Sequence, residues 1–114
     1  MYMKNSGLYK GSLTTIILKL LNEHDKMYGY QITQRVKEIT NGKLNITEGA
    51  LYPSLHKLKS SGFLDTEVLM LGNRKRKYYR LTEKGTRETV KKLDEFEDYI
   101  AIMRALVNPK FRSD

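Results

Sequence analysis

Cysteine and tryptophan are both missing from these 114 residues, and only two prolines, Pro53 and Pro109, interrupt the chain. Without cysteine there is no disulfide and no thiolate metal site. That suits a reducing cytoplasm, which is the expected location. No stretch approaches the roughly 18 to 20 unbroken apolar residues of a membrane span, so no membrane is expected among the partners. Lys4, Asn5 and Ser6 break the N-terminus before a signal-peptide apolar run can develop. Histidine is scarce too. His24 and His56 stand far apart with no acidic cluster near either, so no metal, cofactor or general base is expected. Ser12 and Ser54 have no histidine partner in obvious reach, and nothing reads as an enzyme. Internal repeats and low-complexity tracts are absent as well.

What is abundant is positive charge, +8 net with a pI near 9.7, which favours a polyanionic partner. Its distribution is uneven. Residues 1–40 carry six basic and three acidic side chains, and residues 41–81 carry eight and three. Residues 82–114 carry seven of each and are neutral. The chain therefore divides into a basic binding part, residues 1–81, and a C-terminal part, residues 82–114, with another job.

The strongest local signals lie between Asn45 and Gly62. Asn45 and Thr47 suit a helix N-cap, whose side-chain oxygen accepts an unpaired first-turn amide. Gly62 suits the left-handed residue that closes a helix. Between them Leu51, Leu55 and Leu58 form one apolar stripe at i, i+4 and i+7. Pro53 lies past the first turn and faces the carbonyl of Gly49, so either the helix kinks there or it starts later, near Pro53. Thr47, Glu48, Gly49, Tyr52, Pro53, His56 and Lys57 are the set free to touch bases and phosphates. Tyr52 has a second reading, packing sideways on the following hairpin. Glu48 is either a partner of the helix dipole or a reader of a cytosine amine.

Phe63 to Leu71 reads as a strand, Gly72-Asn73 as a turn, and Lys77 to Leu81 as the returning strand. Arg74, Lys75, Arg76 and Lys77, with Arg80 close behind, then form a cationic hairpin tip suited to phosphate contact. Upstream, Ser12 is the expected cap of a first helix with Leu13, Ile16, Ile17, Leu20 and Leu21 on one stripe, Leu18 lying off it. A second helix, Gly29 to Thr40, carries Ile32, Val36 and Ile39 and stops at Asn41-Gly42. Lys43 to Ile46 is expected to add a brief strand beside the hairpin. The leader, Met1 to Lys10, shows no clear period.

Thr82 is the expected cap of the last helix, which runs to about Val107, roughly 37 Å at 1.5 Å per residue. Leu93, Phe96, Ile100, Met103 and Val107 make a coiled-coil-like seam, with Val90, Tyr99, Ile102 and Leu106 as a second stripe. A helix with two apolar stripes must bury both. One covers its own domain and the other a second subunit, so a homodimer is expected, against the alternative of a lone helix folded back on its own core. The architecture read from these patterns is mainly α with a small β-hairpin: a winged helix-turn-helix followed by a long dimerisation helix.

The motifs Tyr28-Gly29-Tyr30, Gly49-Ala50-Leu51-Tyr52-Pro53-Ser54-Leu55, Gly62-Phe63-Leu64, Arg76-Lys77-Tyr78-Tyr79 and Leu81-Thr82-Glu83-Lys84-Gly85 together resemble the PadR-like transcriptional regulators, over roughly residues 11–95. The resemblance is to the small subfamily with a single C-terminal helix. It implies a dimer on double-stranded operator DNA, usually a repressor released by a small molecule, with DNA contacts from Tyr52 and from Arg74 to Lys77. Some short members similar to this chain bind planar hydrophobic drugs between subunits through a tryptophan of the last helix. This chain has none. Phe96 and Tyr99 are the nearest aromatic candidates, and an effector pocket is expected between the first and last helices, at Leu13, Ile17, Phe96 and Tyr99. The expected function is a sequence-specific DNA-binding regulator, with a non-switching architectural or general nucleic-acid-binding protein as the alternative.

Overall fold

The computed structural model describes residues 9–113, so Tyr2 and Leu8 of the leader lie outside the described residues. Tyr9 is buried and leads through a short 3-10 turn, Lys10–Ser12, into helix α1, Leu13–Glu23. Ser12 itself makes no side-chain cap, contrary to expectation, because the 3-10 turn already supplies the helical start. Both flanks of α1 are buried: Ile17 is 0% exposed and Leu18, off the main stripe, only 1%. The helix therefore runs through the middle of the core.

Strand β1, Met27–Tyr28, follows and passes directly into helix α2, Gly29–Ile39. Gln31 caps its start from the first turn, Tyr28 N donating to Gln31 Oε1 at 3.1 Å. Asn41 and Gly42, both at positive φ, end the helix. Helix α3, Glu48–Ser60, then crosses the core with Leu51, Leu55 and Leu58 buried. Strands β2, Leu64–Leu71, and β3, Arg74–Leu81, form an antiparallel hairpin closed by the two residues Gly72-Asn73. Gly72 has φ +63, the left-handed backbone that tight hairpin turns need at a central position.

Two expectations are corrected here. The third strand of the sheet is β1, which pairs with β3 through Met27–Tyr79 and Tyr28–Tyr78, giving the order β1-β3-β2. Lys43 to Ile46 adds no strand to the sheet, only a single bridging residue, Leu44: Thr40 Oγ1 holds the Leu44 amide at 3.0 Å and Asn45 Nδ2 donates to the Gly42 carbonyl at 2.8 Å, so the rest of the segment is a loop feeding α3. The cationic run is also not a turn. Arg74 to Lys77 belong to β3, because a two-residue turn leaves them paired against Val68 to Leu71.

Helix α4, Glu83–Val107, is capped by Thr82, whose Oγ1 accepts from Gly85 N at 3.0 Å. Its first turn is clamped onto the end of α3. Thr82 N donates to the Phe63 carbonyl at 3.0 Å, Thr82 Oγ1 to the Gly62 carbonyl at 2.7 Å, and Lys84 Nζ to the Ser61 carbonyl at 2.9 Å. Gly85 lies so close that any Cβ there would collide with the Phe63 carbonyl. Asn108-Pro109 ends α4, and Arg112 folds back to donate to the carbonyls of Ala105 and Leu106.

Candidate nucleic-acid interface

Helix α3 keeps both ends it was expected to have. Thr47 Oγ1 accepts from Ala50 N at 3.2 Å. At the other end Gly62, φ +82, lets Phe63 N reach the Leu58 carbonyl at 3.0 Å and Gly62 N the Lys59 carbonyl at 2.9 Å. Pro53 sits inside this helix without breaking it. The carbonyl it cannot serve belongs to Gly49, which is exposed and therefore open to water.

With its three leucines turned inward, α3 presents Gly49, Pro53, His56 and Ser60 outward at i, i+4, i+7 and i+11, with Lys57 beside them. Thr47 and Glu48 are exposed at its first turn. Tyr52 is 45% exposed. Its hydroxyl lies over Gly29, where a Cβ would come within 2.5 Å, so the first turn of α2 and the middle of α3 approach this closely only because residue 29 is glycine. Burial, and next the charge of Tyr52, push the Tyr79 phenol above its ordinary pKa.

The strand pleat sorts the basic run by face. Lys75 and Lys77 share the side of the buried Tyr79, together with Val68 and Met70 of β2, and all four are exposed. Lys77 Nζ stands 5.7 Å from the Tyr79 ring centroid. Arg74 is exposed at the tip. Arg76, Tyr78 and Arg80 take the opposite side and are only half-exposed. There the Arg76 guanidinium lies 4.3 Å from the Tyr28 ring centroid, Tyr28 meets Tyr78 edge to face at 5.3 Å, and Lys26 Nζ stands 5.6 Å from Tyr78. Lys26 also bonds Glu67 at 3.3 Å, and Arg80 pairs with the same carboxylate. Lys26 above all, with Arg80, holds the Glu67 carboxyl below its ordinary pKa. Sequence reasoning missed Lys26, Tyr28 and Glu67, since a two-residue strand has no periodicity to read.

The apolar residues of α4 remain largely uncovered by the described residues. Only Gly85 and Thr89 are buried. Leu93, Phe96, Ile100 and Met103 are half-exposed, Tyr99, Ile102 and Leu106 more so, and Val107 is 74% exposed. Between α1, the end of α2 and α4 runs an open groove of about 330 Å³, walled by Ile16, Leu20, Val36, Ile39, Leu44, Leu93 and Phe96. A more polar hollow of about 280 Å³ adjoins it, with Phe96 and Tyr99 in its wall. Leu13 and Ile17 line neither, because both are sealed in the core. Among the described residues no three histidine, aspartate or glutamate side chains gather into a metal site, and no helix is long and apolar enough to cross a membrane.

Comparison with known proteins places this geometry. The fold is similar to the structure of a transcriptional regulator from Clostridium thermocellum, TM-score 0.82 at 28% identity, over 93% of this chain and all of that one. It is similar to Bacillus subtilis PadR solved in complex with operator DNA, TM-score 0.64 at 32% identity, over 71% of this chain and 46% of that one. In sequence, uncharacterized protein X of Lysinibacillus sphaericus is 34% identical over 102 residues, 86% of this chain and 93% of that protein. Residues 17–91, well over half the chain, match the transcriptional regulator PadR-like family, and to that family of regulators, not to any class of enzyme, this chain belongs.

Proposed function

We propose that the chain binds operator DNA as a homodimer and acts as a sequence-specific repressor that a small hydrophobic effector releases. One observation carries the DNA reading. The outward face of α3 and the exposed lysines of the wing belong to elements packed on one core, α3 through Leu51, Leu55 and Leu58 and the wing through Leu64 and Tyr79, with Lys77 standing over the Tyr79 ring. A recognition helix held rigidly beside a cationic hairpin can enter a major groove while the hairpin meets the flanking backbone. The solved complex of Bacillus subtilis PadR with operator DNA supports the same partner. Thr47, Gly49, Tyr52, Pro53, His56 and Lys57 then face the duplex, with Glu48 set at the helix start, where its charge also complements the dipole.

Dimerisation is supported by α4, whose Tyr99, Ile102, Leu106 and Val107 are left exposed by the described residues. With Leu93, Phe96, Ile100 and Met103 they form the interface. The effector site follows from the same helix: the apolar groove beside Phe96 is at the small end of the ligand-pocket range of about 300 to 1,000 Å³.

The test is a salt titration of binding to the promoter of the chain's own operon against a scrambled duplex of equal length. A preference of about a thousandfold or more at roughly 150 mM salt is the expected result. Equal affinities with a steep salt slope would replace the regulator reading by an architectural one.

A further inference from the structure

The five cations of the wing are not equivalent, and the difference lies in which face of the sheet each occupies. Lys75 and Lys77 are exposed on the face that carries the buried Tyr79, whereas Arg74, exposed at the tip, is on the face of Arg76. Arg76 points away from α3, half-exposed and seated on Tyr28. From there a single chain of contacts crosses all three strands: Arg76 to Tyr28, Tyr28 to Tyr78, Tyr78 to Lys26, and Lys26 with Arg80 to Glu67. β1 is only two residues long and runs without a break into the α2 turn that lies under Tyr52 of α3. Whatever fixes β1 against the hairpin therefore fixes the pitch of the wing relative to the recognition helix.

We infer that Arg76 is a positioning residue that sets the wing's angle by stacking on Tyr28, and that the wing meets DNA with its other face, through Lys75 and Lys77. This rests on the DNA reading above. A guanidinium suits the task because it is planar and can stack on a ring while keeping its charge, which an ammonium does less well. Val68 and Met70, exposed directly across from Lys77 and Lys75, would lie against sugar and base edges, since that face sets an apolar row on β2 beside a cationic row on β3.

The experiment measures the slope of log affinity against log salt for the full chain and its variants on an operator duplex. Neutralising a phosphate contact lowers that slope by about 0.9 per charge. Lys75→Ala and Lys77→Ala are each expected to lower it by about that amount. Arg76→Ala and Arg76→Lys are both expected to leave the slope unchanged and to weaken specific binding about tenfold, because lysine restores the charge but not the stack. Tyr28→Leu added to Arg76→Lys should cost less than the two changes measured singly add up to, since they share the stacked pair, while Tyr28→Leu also removes the contact with Tyr78. In the free protein, Arg76→Lys should shift the ring proton resonances of Tyr28 and Tyr78. A slope that falls in Arg76→Ala and recovers in Arg76→Lys makes Arg76 a phosphate contact and overturns the inference, as do unmoved tyrosine resonances. A wild-type chain that binds no duplex at all brings down the DNA reading itself, an outcome no Arg76 variant can produce.

Discussion

Helices α1 and α4 share one sequence property, apolar residues on more than one side, and meet opposite fates. α1 is sealed on both flanks, with Leu18 as inaccessible as Ile17. α4 is longer by fourteen residues, 25 against 11, yet buries only a glycine and a threonine. The apolar pattern states that burial is needed and leaves open what provides it. α1 is surrounded by α2, α3, the sheet and the start of α4, all within one chain. The second half of α4 extends past these elements, and among the described residues nothing seals it.

The comparison breaks first at Leu18. Leu18→Ala is expected to cost about 2 to 5 kcal/mol in urea denaturation, the usual range for a sealed leucine. A cost near zero would mean that α1 has a free flank after all. Ile102→Glu together with Leu106→Glu should act in the opposite way. Dimer dissociation measured by sedimentation equilibrium is expected to rise about a hundredfold, roughly 2.7 kcal/mol, while the far-ultraviolet circular dichroism stays that of the folded chain. If both spectra and mass are unaffected, α4 is not the interface.

Gly85→Ala is next in size, at about 1 to 3 kcal/mol, because the new methyl must displace the Phe63 carbonyl and the α4 start with it. An unchanged melting temperature would show that the α3–α4 junction gives way freely. The smallest effect is at Glu67. Its carboxyl is held below the ordinary pKa, so its contribution is present at neutral pH and is lost as pH falls through that lowered value. Glu67→Gln should lower the melting temperature slightly at pH 7, with the gap to wild type closing below about pH 4. A gap that widens in acid would reverse the sign of the argument.

Legibility in the sequence followed the range of the interactions. The caps at Thr47 and Thr82 and the stop at Gly62 are written in adjacent residues, and all three hold in the structure. The hairpin was readable, but the allocation of its cations was not, because register depends on turn length and a pleat of period two sends neighbours to opposite faces. Tyr28 was visible only as part of a motif. Its place in the sheet depends on pairing with Tyr78, fifty positions along, which no local pattern encodes. Gly29 and Gly85 stood in the motifs with no stated reason. Each proves to be a point where two elements approach closer than any side chain would allow.

The clamp of Thr82, Lys84 and Gly85 on Ser61 to Phe63 makes the end of α3 and the start of α4 a single mechanical joint. α4 is then a lever arm whose short end carries the reading head. Over a rod of roughly 37 Å, a tilt of about 5° at the joint corresponds to about 3 Å at the far tip. In the proposed dimer, a shift of a few ångströms where two such arms meet would be geared down to a small rotation of each α3. Two reading heads so turned would no longer match one spacing of grooves, and the proposed switch would need no hinge between α3 and α4.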